Sequence, residues 1–264
     1  MIETLILKLV LVPILIGVVS LAGRRWGPAV GGWLAGLPWT SGPVALFLAF
    51  EQGNAFAVQA AQGTLTGLVS VAAFCLAYSR MARRLGWAFS ILSGWCAFLA
   101  VTYALNHVSV PVLPTFVGVI GVLLGSSLGL RSRGETAARP TPPAWEIPLR
   151  MVAATAMVLA ITGGASLLGP RLSGLLTPFP VYATVLAVFT QHFQGSHAAT
   201  RLLRGVVLGS PAFAVFFLVV TIGLERWGLP ATFGLALAVA LAVHWSAFRL
   251  LGLSEASGAH QRRP

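Results

Sequence analysis

Aspartate is absent from the 264 residues, and all six acidic side chains are glutamates. Paired carboxylates for general acid–base hydrolysis are therefore missing. No P-loop, no H-E-x-x-H and no nucleophile elbow occurs, so the chain is not expected to be an enzyme or to need a cofactor. Lysine is represented by Lys8 alone; the other sixteen basic residues are arginines. There are two cysteines, Cys75 and Cys96, both inside apolar runs with no disulfide framework or ligand spacing. Charged residues of both signs make up 9% of the chain, against about 25% in ordinary soluble domains. That scarcity excludes a soluble globular protein.

What fills the space is apolar. Hydrophobic residues reach 57% and mean hydropathy is +0.87. Continuous apolar runs of about 20 residues, the length a bilayer core demands, follow one another. They do not alternate, which excludes a β-barrel. The class is an all-α polytopic transmembrane bundle, with the lipid bilayer as its first partner. The net charge of +11 does not indicate nucleic acid, because no basic face with stacking aromatics lies outside the apolar runs.

Dividing at charges and turn residues predicts nine spans, near 4–22, 28–50, 55–79, 87–106, 110–130, 149–168, 172–191, 199–222 and 229–250. The first run resembles a signal peptide but is read as a helix, since Glu3 precedes its basic residue and no cleavage site leads into a soluble domain. Residues 131–146 (RSRGETAARPTPPAWE) form a hydrophilic linker. If the spans alternate, Arg24, Arg25, Arg80, Arg83, Arg84, Arg131, Arg133, Arg139, Arg150, Arg201, Arg204, Arg249, Arg262 and Arg263 share one side. Lys8, Arg171 and Arg226 take the other. The first side is then cytoplasmic, the N-terminus outside and the C-terminus inside, as in a multi-pass inner-membrane protein.

A displacement of 142 residues aligns the two halves without a gap over about sixty residues. Gly27-Pro28 meets Gly169-Pro170, Pro38 meets Pro180, Gln52-Gly53 meets Gln194-Gly195, and Gly63 and Gly67 meet Gly205 and Gly209. Matched Pro, Gln-Gly and spaced Gly are harder to obtain by chance than matched Leu or Ala. The chain reads as a four-helix unit (1–108), a linking helix and linker (109–146), and a second unit with a tail (147–264). Span five lies between the units and displaces the second by five spans, so the second is inverted, the architecture of many secondary transporters.

Within the second unit, G-L-L-T-P-F-P (174–180), Q-G (194–195) and G-L-P-A-T-F (228–233) resemble the GlpM type of small inner-membrane protein, a four-helix module. The resemblance covers about 150–250. G-W-L-A-G-L-P (32–38) and E-Q-G (51–53) carry it less strongly into the first unit. It implies a fold and supplies no reaction. The duplicated arrangement is also similar to the drug/metabolite transporter superfamily.

The second span of each unit contains proline: G-L-P-W-T-S-G-P (36–43) and T-P-F-P-V-Y-A-T (177–184). Proline frees helix carbonyls. With Pro38, Thr40, Ser41, Pro180, Tyr182 and Thr184, these could bind a small solute or ion; the alternative is a packed structural kink. G-x-x-x-G at 63–67 and 205–209, and Gly121, Gly125 and Gly129 in span five, indicate helix packing. Arg201 and Arg204 could hold an anionic group, or snorkel and set topology. His244 is the one ionisable residue deep in a span; it could relay a proton, but a satisfied core histidine is the more frequent case. His192 and His197 are five apart across Gly195, not the spacing of a helical metal pair, so no metal site is expected. Gln52 and Gln194 occupy equivalent corners on opposite sides. The expected function is a permease for a small solute or lipid-like molecule, working by alternating access. A non-transporting scaffold for envelope assembly is the alternative, and homodimer formation stays open.

Overall fold

A computed structural model describes residues 2–108, 110–131, 142–165 and 178–250. Every regular element among them is a helix: α1 (Ile2–Trp26), α2 (Pro28–Ala35), α3 (Ser41–Gln52), α4 (Asn54–Ala82), α5 (Trp87–Asn106), α6 (Val112–Gly129), α7 (Glu146–Ala165), α8 (Val181–Gln194) and α9 (Ser196–Leu250). Helices satisfy their own backbone groups, which is why apolar surroundings select them. Five stretches are long and apolar enough to cross a membrane: Leu9–Trp26, α4, α5, α6 and Ser196–Arg249. The chain is thus a helical membrane protein.

The expected boundaries hold closely where the apolar run is continuous; α5 spans the predicted 87–106. The second expected span is split at Pro38 into α2 and α3, where a proline break is expected. The two limbs of α9, 196–227 and 229–250, meet at Gly228 and correspond to the expected spans 199–222 and 229–250. The seventh span lies partly outside the described residues, as does the hydrophilic linker.

Single glycines join consecutive helices. Gly27, Gly53, Gly195 and Gly228 have φ between 72° and 95° with ψ between 162° and 174°. Essentially only glycine adopts this region. One residue therefore turns the chain between helices, beside polar residues such as Arg25, Gln52, Gln194 and Arg226.

α4 and the first limb of α9 form the centre. They pack on each other, and around them sit α2, α3, α5, α6 and α8. The tightest approach is between α2 and α9. Gly32 lies on the Leu202 backbone, Gly205 on the Ala29 carbonyl and Gly209 on the Trp33 carbonyl. A Cβ on Gly36 would stand 2.7 Å from the Gly209 carbonyl carbon. Two G-x-x-x-G ridges thus interlock, and the one at 32–36 is not among the packing motifs expected from the sequence. Gly63 and Gly67 are also buried. The expected packing role of span five is corrected: a methyl group added at Gly118, Gly121 or Gly125 of α6 would find nothing within 4 Å, and only Gly129 meets a neighbour, Leu76. Large apolar side chains on the outer faces, such as Leu92, Leu99, Val117 and Leu128, are exposed, as expected of surfaces that meet lipid.

Gly205→Ala should destabilise the fold by about 1–3 kcal/mol through overpacking. Gly121→Ala should be neutral or slightly stabilising, since alanine is the better helix former. Unfolding in mixed micelles under an SDS titration measures both, and equal effects would contradict this crossing.

Candidate functional site

Pro38 interrupts a helix as expected, Pro180 immediately precedes α8 with residues 166–177 outside the described residues, and the nearby carbonyls are used as follows. At the Pro38 break the Leu34 carbonyl accepts from the Leu37 amide (3.3 Å) and from the Trp39 indole N–H (2.7 Å). The Pro38 carbonyl accepts from Gly42 N (2.9 Å) and starts α3. At the start of α8 the Phe179 and Pro180 carbonyls accept from Val181 N and Thr184 N, both at 2.7 Å. These carbonyls are engaged within the protein, so side chains are the better candidates for holding a solute.

The side chains do converge in part. α2 contacts α8, and Thr40, after the Pro38 break, faces the Tyr182 phenol at the start of α8. The phenol oxygen is buried and has no hydrogen-bond partner of full geometry among the described residues. Ser41 and Thr184 are buried. Thr184 Oγ1 accepts from the Trp95 indole at 3.3 Å. Phe179, just before α8, lies edge-on to Phe98 with centroids 5.1 Å apart and tilted against Trp95 at 5.9 Å. Thus α5 clamps the start of α8.

A second cluster stands beside the α2–α9 crossing. The Trp33 and His244 rings stack at 3.6 Å and 13°, and Phe248 tilts against Trp33. His244 is only 4% exposed. Neither of its nitrogens, nor Trp33 Nε1, has a full hydrogen bond among the described residues. The Gly209 backbone lies within reach of the His244 ring.

Other predicted residues do not join either cluster. Gln52 is exposed at the α3–α4 turn, and Gln194 is half-buried at the α8–α9 turn. The two turns lie at opposite ends of the bundle. Gln62 Nε2, near the first turn, donates to the Val110 carbonyl (3.0 Å), whereas Gln191 Nε2, near the second, donates to the Leu85 carbonyl (3.3 Å). Arg201 and Arg204 are half-buried on the first turns of α9. The Arg204 Nε is buried without a partner among the described residues. His192 and His197 are exposed, and His192 lies edge-on to Phe193.

One charged centre is absent from the sequence-based expectations. Glu146, at the end of the supposed linker, opens α7 and is fully buried. Its carboxylate pairs with Arg150 one turn on and with Arg24 of α1 at 2.9 Å. Arg24 also donates to the Pro143 carbonyl at 2.7 Å, and the Arg150 guanidinium lies over Phe189, 5.4 Å from its centroid. The i, i+4 spacing of Glu146 and Arg150 is a visible signal; the link to Arg24 is not.

Glu146→Ala should cost about 3–5 kcal/mol, because it strands the buried Arg150. Adding Arg150→Met should recover much of that loss in SDS unfolding titrations. No protein-family model matches the chain, and no curated protein or solved structure gives a significant match.

Proposed function

We propose that the chain is an inner-membrane permease for a small, uncharged, hydrogen-bonding solute, built from two inverted four-helix units joined by α6. The observation that carries this reading is the meeting of the Pro38 break with the start of α8, where the Thr40 and Tyr182 hydroxyls face each other. Irregular backbone inside a membrane is tolerated where it is covered by protein or lines a solute cavity, and paired interruptions in two halves mark transporter sites. The groups gathered there are Thr, Tyr, Trp and Ser, neutral donors and acceptors. They match a neutral polar solute better than an ion.

Several features support the duplication. Gly53 and Gly195 occupy equivalent positions and have nearly the same backbone angles, 84°/166° and 91°/173°. α5 packs on the start of α8 through Trp95, and the second limb of α9, its equivalent, packs on α2 through His244. The nine-pass topology follows from these units. In it, the end bearing Arg24, Arg83 and Arg131 faces the cytoplasm, with the N-terminus outside. A membrane scaffold is the rival reading.

The two readings separate by experiment. A thermal-shift screen of neutral polar solutes on the purified protein, followed by flux of the best stabiliser in liposomes, identifies transport. Thr40→Val and Tyr182→Phe should then lower the initial flux about tenfold, a loss of roughly 1.4 kcal/mol, without lowering the melting temperature. His244→Phe keeps a ring on Trp33 but removes the nitrogens beside the Gly209 backbone, and should impair flux. If no solute stabilises or crosses, and all three variants are silent, the scaffold reading stands instead.

A further inference from the structure

A cleft of about 720 Å³ lies between α4, α5 and α6. None of its lining residues belongs to an interrupted helix, so it is separate from the site proposed for solute. Its walls change character along their length. On α4 the lining face runs Gln59, Gln62, Thr66, Val69, at spacings of three and four that keep one side of the helix in register. On α6 it runs from Thr115 past Gly118 to Val119 and Val122. Both walls are polar near the 107–111 turn and apolar further in.

The dimensions match one leaflet. α4 has 29 residues and is roughly 43 Å long at 1.5 Å per residue. A hydrocarbon core of about 30 Å leaves about four residues overhanging at each end. Gln59, five residues from the start of α4, therefore lies at the hydrocarbon boundary. Val69 lies about 15 Å deeper, near the bilayer midplane. On the α6 wall a Cβ added at Gly118 would meet nothing within 4 Å.

We propose that this cleft binds a neutral amphiphile from the leaflet at that end, its hydroxyl or amide headgroup at Gln59 and Gln62 and its chain along Val69, Val119 and Val122. No charged side chain lines the cleft among the described residues, so a phosphate would be buried without a cation, at high cost. The threonine hydroxyls are engaged with their own helices, Thr66 to the Gln62 carbonyl and Thr115 to the Pro111 carbonyl. Gln62 Nε2 is held by Val110. The Gln59 amide and the Gln62 side-chain carbonyl are left to recognise a headgroup that both donates and accepts.

The full chain is reconstituted in nanodiscs containing either dioleoylglycerol or dioleoylphosphatidylglycerol, and retained lipid is counted by native mass spectrometry. About one dioleoylglycerol per chain is expected, the occupancy of a single pocket, with no retention of the phosphatidylglycerol. Gly118→Phe narrows the cleft at a position where an added Cβ meets nothing within 4 Å, and should reduce retention about tenfold. Gln59→Leu with Gln62→Leu tests the headgroup contacts independently and should weaken retention even if the narrowed variant does not fold. Equal retention of the anionic lipid, or undiminished diacylglycerol in both variants, overturns the proposal. A wild-type dimer that Gly118→Phe dissociates, with lipid counts unchanged, also overturns it and gives the cleft to a second copy.

Discussion

The close crossing of α2 and α9 is the contact on which the interior depends. In lipid, two apolar helices gain little by hiding from water, so association relies on van der Waals contact and backbone proximity. Glycines at 32, 36, 205 and 209 let one backbone lie directly on the other. That approach sets where Trp33 projects, hence where His244 must stack. It also holds α2 so that the chain leaving it at Pro38 reaches α8. A bulkier crossing would displace both polar clusters together.

Around that contact the bundle tolerates an unusual amount of unsatisfied polarity. Most hydroxyls bond back to their own helix, as Thr64 does to the Ala60 carbonyl and Ser210 to the Val206 carbonyl. One pair, Thr102 and Ser70, bonds between helices at 2.9 Å. Buried polar atoms without a hydrogen bond of full geometry among the described residues remain on several helices, among them those of Ser20, Trp33, Tyr78, Arg204 and Thr232. Replacing them with apolar groups would be the simple route to stability, and the chain has not taken it. Polar groups kept at such cost in a membrane interior usually serve function.

Helix existence is legible from the letters, because an apolar run of about 20 residues has few other uses. The break at Pro38 is legible too, since proline cannot donate the bond that would continue the helix. Other features are not. Small-residue spacing is the same in α9, where it packs, and in α6, where Gly121 and Gly125 face open space. Glu146 looks like the end of a linker, because the arginine that completes its environment lies 122 residues away. The Trp33–His244 stack depends on a crossing that no local pattern encodes.

The Arg24–Glu146–Arg150 cluster has a mechanical consequence. It fastens the end of α1 to the start of α7 through a carboxylate with almost no water around it. Parting those two ends would strand a buried acid and a buried base at once. Sliding or splaying of α1 against α7 is therefore far easier at the opposite end of the pair. The cluster acts as a fulcrum. Displacements at the Arg24 end stay small, while the same rotation grows along the helices toward the far face of the bundle.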